Sequence, residues 1–262
     1  MAVDAVTLRG PGDASTRLVL KRWLRPGWAD EDPSSTPARE AAVLDGLAES
    51  AVPVPGLVAV DPDGAAAGVP ALLMTHVDGR RPTAAEEARP GRIAAMAHAL
   101  AGIHAVNGPL LSVVDAFEPY YDHNRLRVPA AAMRPALWEA ALDLTAGVSP
   151  PAEPRFLHRD YHPANTIWRA GRLAGVVDWV NAAVGPVAAD LAHWRANLGT
   201  RHGIGVADRV LGAHASETGA IPADQAWWDV RMLLDFVDEP DTLHGEALAR
   251  FEAYLEALLA RG

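Results

Sequence analysis

Three polar residues in the middle of the chain have the types and the spacing that phosphoryl transfer requires. Asp160 and Asn165 belong to the segment 156–165, FLHRDYHPAN, and Asp178 follows the apolar run 175–177. A carboxylate can orient an attacking hydroxyl and accept its proton, while amide and carboxylate oxygens suit Mg²⁺. The sequence therefore predicts Asp160 as the catalytic base and Asn165 and Asp178 as metal ligands.

The order of these residues is also that of the kinase catalytic loop. His158, Arg159 and Asp160 are followed, after four residues, by Asn165, and an apolar strand that ends in Asp178 comes next. Kinases have this sequence of a catalytic loop and a metal-binding aspartate. By the same analogy, His158 is interpreted as a brace for the loop backbone.

A hydrolytic metal site is an alternative for the same segment. His158, Asp160 and His162 alternate, so on a strand all three could face one metal ion. That alternative leaves Asn165 and the strand before Asp178 without a role, and the sequence has no second cluster of histidines and carboxylates at ligand spacing.

These motifs resemble those of the aminoglycoside phosphotransferase and choline kinase family, whose fold is related to that of protein kinases. The pair Asp178-Trp179 replaces the Asp-Phe-Gly of protein kinases, and the resemblance covers most of the chain. It implies an α+β, bilobal protein-kinase-like fold, with a small N-terminal β-sheet lobe that has one helix and a larger, mainly helical C-terminal lobe. It also implies transfer of a phosphoryl group from ATP or GTP, with Mg²⁺, to a hydroxyl of a small molecule.

The resemblance assigns roles to three further charged residues. Lys21 matches the lysine that contacts the phosphates, Glu40 the helix glutamate that pairs with it, and Asp190 an aspartate that supports the catalytic loop. Each also has an ordinary structural interpretation. Lys21 could be a solvated residue of an edge strand, Glu40 an exposed helix residue, and Asp190 a charge favoured at a helix N-terminus.

The segment 72–79 resembles the hinge between the two lobes of the family. Its strand-like half is followed by His-Val-Asp-Gly, and the backbone of a hinge meets the nucleotide base in this family. The residues expected to make this contact are Thr75, His76 and Val77.

The periodicity of the chain changes near residue 77 from strand-like to helical. The expected strands before this point are 3–8, 17–23, 57–60 and 70–75, with one helix at 36–50. The expected helices after it begin near 83 and include 135–144, 187–198, 206–217, 222–237 and 244–260, interrupted by strands at 156–158, 165–168 and 173–179. We therefore expect a nucleotide-binding lobe at 1–76, a linker at 77–82, and a lobe with the catalytic loop and the acceptor site at 83–262.

The N-terminal lobe departs from the family pattern. The family begins with two strands and a glycine-containing loop over the phosphates, whereas here one expected strand precedes that of Lys21. The segment Gly10-Pro11-Gly12 is interpreted as the turn after that loop. Either the N-terminus extends upstream of Met1, or the protein closes over its nucleotide by other means.

Composition narrows the classes of partner. The 262 residues carry a formal charge of -10, which argues against nucleic-acid binding, and the chain has no cysteine for a disulfide. No stretch of about 18 apolar residues and no signal peptide is evident. We expect a soluble, cytoplasmic protein without a membrane partner.

The acceptor is the least determined part of the prediction. Asp235 and Glu239 belong to an acidic group near the C-terminus, and such a group would attract a cationic acceptor such as an aminoglycoside. If these carboxylates face water instead, a neutral acceptor such as a macrolide, a nucleoside antibiotic or a metabolite is as well supported.

Two other functions compete with a small-molecule kinase. A catalytically weak nucleotide-binding module is suggested by the absence of the phosphate-covering loop. A protein kinase is disfavoured, because the segment 178–190 contains neither a Ser, Thr or Tyr nor an Ala-Pro-Glu motif. No protein substrate is therefore expected.

Overall fold

The N-terminal part of the chain is an antiparallel sheet with one helix. The computed structural model describes residues 1–10, 15–28, 33–237 and 243–261. Its four strands lie in the order β1-β2-β4-β3. They are β1 Ala2–Arg9, β2 Ser15–Arg22, β3 Leu57–Asp61 and β4 Ala71–Thr75, and helix α1 is Pro37–Leu47. The turn expected at residues 10–12 lies mostly outside the described residues, and β1 is the one described strand before β2.

Helix α1 begins where the sequence places its start signal. The Thr36 side chain accepts a hydrogen bond from the Arg39 amide at 3.1 Å, and Pro37 occupies the first turn, where no N–H is needed. Val43, Leu44 and Leu47 are buried against the sheet. Glu40 lies one turn before Leu44, so the same packing carries its carboxylate into the interior.

Strand β2 directs alternate side chains toward the space beneath the sheet. Val19 and Lys21 are two residues apart and share one face, and Val19 is the register partner of Met74 on β4. All three line a cleft between the sheet and the C-terminal part. The position of Lys21 is therefore set by the pairing of β2 with β4.

The C-terminal part is mainly helical and contains two small antiparallel pairs of strands. Its helices are α2 Ala84–Glu87, α3 Pro90–His104, α4 Pro135–Leu144, α5 Val187–His202, α6 Ile204–Thr218, α7 Gln225–Leu234 and α8 Gly245–Leu259. Its strands are β5 Pro154–Leu157, β6 Thr166–Arg169, β7 Arg172–Val176 and β8 Ala183–Pro186, paired β5 with β8 and β6 with β7. Strand β8 was not expected from the sequence, because four residues with a glycine and a proline carry no strand periodicity.

Helix α5 is the centre of this part. Leu191, Trp194 and Leu198 are completely buried, and α5 packs against α6, α7 and α8. A Cβ at Gly199 would lie 2.3 Å from the ring of Tyr254, so glycine permits the close approach of α8. This packing fixes the side chains that α5 presents to the loop between β5 and β6. Within the described ranges, no helix has the length and apolarity to cross a membrane.

Candidate active site

One buried carboxylate, that of Asp190, binds the backbone of the loop between β5 and β6. Asp190 on α5 accepts hydrogen bonds from the amides of His158 at 3.0 Å and Arg159 at 2.8 Å, and its other contact is His104 Nε2 at 3.1 Å. Arg159 has a φ of 68°, a strained value for a residue with a Cβ. Burial alone would raise the pKa of Asp190, but the hydrogen bonds from His104 and the loop outweigh it and lower that pKa. Asp190 thus stabilises the strained turn before Asp160.

The carboxylate of Asp160 is fixed on both of its oxygens. Asn165 Nδ2 donates to Oδ2 at 2.9 Å, while Nε2 of His193 lies 3.1 Å and Nε2 of His162 3.3 Å from Oδ1. Burial works to raise the pKa of Asp160, but the hydrogen bonds from His162 and His193 hold it well below its usual range. Asp160 is therefore an anion at neutral pH and can accept a proton. His193 was not identified from the sequence, because it is remote from the loop and belongs to no motif.

His158 connects the loop to the end of β7. Its Nε2 lies 3.1 Å from the carbonyl oxygen of Val177, its Nδ1 accepts from the Asp160 amide at 3.3 Å, and its ring centroid is 4.4 Å from that of Trp179. Burial lowers the pKa of His158, so its ring is neutral. Both ring nitrogens are engaged within the protein, which speaks against the alternative of a metal held by His158, Asp160 and His162. The described residues contain no group of three side chains arranged to hold a metal ion.

Lys21 lies between two carboxylates from distant parts of the chain. Its Nζ is 2.6 Å from Glu40 Oε2 and 2.6 Å from Asp178 Oδ1. Burial works to lower the pKa of Lys21, but Glu40 and Asp178 outweigh it and raise that pKa. Glu40 also accepts from the Trp179 amide at 3.2 Å, and Asp178 has a φ of 70°. The pair expected from the sequence, Lys21 with Glu40, is thus present and extends to Asp178.

The cleft under the sheet is apolar along its walls and charged at one end. Lys21, Glu40 and Asp178 lie together at its charged end, and Arg81 also lines the cleft. Its other lining includes Val19, Met74, Ile167 and Val177, together with the expected hinge residues Thr75, His76 and Val77. An apolar slot with a cationic and acidic end fits a base attached to phosphates.

The three expected hinge residues differ in whether their backbone amides donate hydrogen bonds. The Thr75 amide donates to Gly56 at 2.8 Å and the His76 amide to Arg17 at 3.2 Å. The amide of Val77 donates to no other described residue. Of these three cleft-lining residues, Val77 is the one whose amide has no acceptor in the described part of the chain.

In the acidic group near the C-terminus, the carboxylates that the structure describes form ion pairs with arginines. Asp235 is buried, accepts from the Tyr120 amide at 3.0 Å and forms an ion pair with Arg231. Asp229 is likewise paired with Arg195 at 2.9 Å. Glu239, the other residue expected to bind the acceptor, lies outside the described residues. The charge of Asp235 is therefore largely cancelled by its neighbour.

A second, polar cleft lies next to Arg159. Its guanidinium is 4.3 Å from the centroid of the Tyr120 ring and donates to the carbonyl of Glu118. The cleft is lined by the segment 115–121 except residue 117, and by Ser34, Arg39, Arg159 and Asn181. Sequence reasoning missed this cleft, because the segment 115–121 has no periodicity and no motif.

The sequence profile of the phosphotransferase enzyme family matches residues 4–227 of the chain. The chain belongs to this family. The expected family and the expected class of enzyme, a phosphotransferase, are thus confirmed. No curated protein matches the sequence.

Solved structures of related folds cover almost the whole chain. A thermostable mutant of aminoglycoside phosphotransferase APH(4)-Ia, in a ternary complex with ADP and hygromycin B, has a TM-score of 0.66 at 14% identity, over 99% of this chain and 94% of that one. Macrolide 2′-phosphotransferase MphH from Brachybacterium faecium has a TM-score of 0.60 at 19% identity, over 98% and 84%. The amicoumacin kinase hAmiN, in complex with AMP-PNP, Ca²⁺ and Ami, has a TM-score of 0.61 at 13% identity, over 96% and 84%. The expected α+β, protein-kinase-like fold is confirmed.

Proposed function

We propose that this phosphotransferase moves the γ-phosphoryl group of ATP to a hydroxyl of a small molecule, with Asp160 as the catalytic base. The observation that carries the proposal is that two charged sites are joined through His158, which contacts both the Asp160 amide and the Val177 carbonyl next to Asp178. One is the ionised, immobilised carboxylate of Asp160, and the other is the cluster of Lys21, Glu40 and Asp178 at the charged end of the apolar cleft. Phosphoryl transfer depends on positioning and on charge stabilisation, which these two groups provide.

The apolar cleft is the proposed site of the nucleotide. Val19, Met74 and Ile167 offer surfaces for a base, and the free amide of Val77 offers a donor to it. Lys21 is the cation proposed to contact the phosphates. Its present partner Asp178 is then released, while Glu40 keeps it oriented. The described contacts leave GTP as an alternative to ATP.

The donor set around Asp160 fits a magnesium ion. Asn165 directs its amide nitrogen to Asp160, so that its amide oxygen is available as a ligand, and the Asp178 side chain is 33% exposed at the cleft. Both are hard oxygen ligands of the kind Mg²⁺ takes alongside phosphate oxygens. When bound, the ion neutralises charge on the transferring phosphate.

Asp160 acts on the acceptor. Its carboxylate orients the attacking hydroxyl and takes the proton as the oxygen–phosphorus bond forms and the bond to the leaving diphosphate breaks. Its ionised state and its fixed orientation suit this role at neutral pH.

The polar cleft beside Arg159 is the proposed site of the acceptor, and an antibiotic is a candidate for it. The ion pair of Asp235 with Arg231 removes one of the two carboxylates that favoured a cationic acceptor. The structural neighbours named above carry an aminoglycoside, a macrolide and amicoumacin in their names or complexes. Neutral and cationic acceptors therefore both belong in the test.

The test is a screen for release of ADP in the presence of Mg²⁺, with cationic and neutral hydroxylated antibiotics and metabolites. Asp160→Asn preserves the shape of the side chain but removes the proton acceptor, so kcat should fall by about 10²- to 10⁴-fold at unchanged affinity for nucleotide. Turnover close to that of the wild type would refute the assignment of Asp160. Nucleotide binding without turnover of any acceptor would favour the weak nucleotide-binding module instead.

Salt dependence distinguishes the classes of acceptor in the same screen. A cationic acceptor held by carboxylates should show a KM that rises with ionic strength, because salt screens their attraction. A neutral acceptor should show a KM that is nearly independent of salt.

A further inference from the structure

His193 stands in an unusual relation to the proposed catalytic base. It lies on α5, its Nε2 is 3.1 Å from Asp160 Oδ1, and it is only 7% exposed. It is three residues after Asp190 on the same helix, and residues at this spacing share one helix face. One face of α5 thus supplies both the carboxylate that holds the loop backbone and an imidazole that reaches the side chain of the base.

The three contacts to Asp160 are unequally divided between its oxygens. Oδ1 is contacted by Nε2 of His193 and Nε2 of His162, while Oδ2 accepts from Nδ2 of Asn165. His162 Nδ1 accepts from the Ala164 amide at 3.3 Å, so the His162 proton is on Nε2 and is donated to Oδ1. Each carboxylate oxygen has two lone-pair sites. Oδ1 is therefore fully used, and Oδ2 keeps one site open.

The His193 ring is also fixed from the side of the protein. Its centroid lies 4.9 Å from that of Phe236 and 6.4 Å from that of Tyr120. Its Nδ1 is buried and has no partner in the described part of the chain. An unpaired buried nitrogen is unfavourable, and packing alone does not require one. The feature that distinguishes His193 from an apolar ring is the hydrogen bond of its Nε2.

We propose that His193 is a positioning residue, which occupies Oδ1 of Asp160 and so keeps Oδ2 directed to the acceptor hydroxyl. Oδ2 is on the side of Asn165, the proposed metal ligand, and therefore next to the transferring phosphate. The acceptor O–H bond breaks, its proton passes to Oδ2, and its oxygen bonds to the γ-phosphorus. The bond from this phosphorus to the bridging oxygen breaks, and its electron pair remains on the ADP that leaves.

This inference rests on the proposed function of Asp160, and its test uses two substitutions of His193. His193→Phe keeps a ring against Phe236 and Tyr120 but has no donor. His193→Gln loses the ring but can place an amide nitrogen near the position of Nε2. With the acceptor found by the screen, His193→Phe should lower kcat by about 10- to 100-fold, because misplacement of a catalytic group by about 1 Å has this effect. The KM for ATP should stay within about twofold, since His193 does not line the nucleotide cleft.

The conservative variant separates positioning from simple packing. His193→Gln should recover most of the lost kcat, and the matched control His98→Phe, at a histidine with 81% side-chain exposure, should leave kcat unchanged. Equal losses in His193→Phe and His193→Gln with a parallel fall in Tm would mean that the ring only packs. A wild-type kcat in His193→Phe would overturn the inference. If Asp160→Asn itself retains turnover, the function proposed for Asp160 has failed instead.

A spectroscopic measurement needs no acceptor. In ¹⁵N-labelled protein, the His193 ring should carry a proton on Nε2, and Asp160→Ala should shift the Nε2 resonance. His98 serves as the internal reference. A His193 resonance that does not respond to Asp160→Ala would contradict the proposed hydrogen bond.

Discussion

The loop that carries Asp160 and the charged end of the apolar cleft are both dense in charge, but they are stabilised differently. Around Asp160, the partners are His162 and Asn165 of the loop and His193 of helix α5, and they hold both carboxylate oxygens. Around Lys21, two carboxylates share one ammonium. The loop is therefore preorganised, whereas the proposed binding of a metal and phosphates would redistribute the contacts of Lys21.

The largest effect on stability is expected at Lys21. Lys21→Met leaves Glu40 buried with its cationic partner removed, which should cost about 3–5 kcal/mol in the free energy of unfolding. Denaturant titration measures this cost. The double variant Lys21→Met/Glu40→Gln should recover part of it, because no buried charge is left without a partner. If Lys21→Met is as stable as the wild type, the buried charge of Glu40 does not depend on Lys21 for its compensation.

Asp190→Asn should have an intermediate effect, of about 1–3 kcal/mol, because an amide can accept from the loop but carries no charge. The folded pKa of Asp190 is lowered, so its contribution is complete above its unfolded pKa, near 4, and is lost as pH falls through the folded value. Acid titration of the unfolding midpoint should thus be shallower in Asp190→Asn. An unchanged acid profile would contradict the role given to its charge.

The smallest effect is expected at the cap of α1. Thr36→Ala removes the acceptor of the Arg39 amide, at a cost of about 1 kcal/mol. Because α1 carries Glu40 and not the catalytic loop, the KM for ATP should rise while kcat stays nearly constant. Thr36→Ser keeps the hydroxyl and is the matched control. A reduced kcat at unchanged KM would indicate that the two regions are coupled more closely than their contacts suggest.

Local spacing allowed much of the geometry of the candidate site to be predicted from the sequence. The catalytic loop and the strand before Asp178 lie within 23 residues, 156–178, so the order of side chains along them is nearly the order in space. The predicted start of α1 also depends on neighbours in sequence, since Thr36 and Pro37 act within one turn. The family and the class of enzyme followed from these local patterns.

Tertiary structure alone decided which distant groups meet. Lys21 and Asp178 are 157 residues apart, and their contact depends on how the sheet lies over the loop. His193 reaches Asp160 because the burial of α5 fixes its rotation, and Asp235 is compensated because Arg231 lies one turn earlier on α7. A sequence pattern records which face of an element is apolar, but the partner of a polar side chain depends on packing between elements. The proposed acceptor site belongs to this second class, because the polar cleft is formed by segments that only the fold brings together.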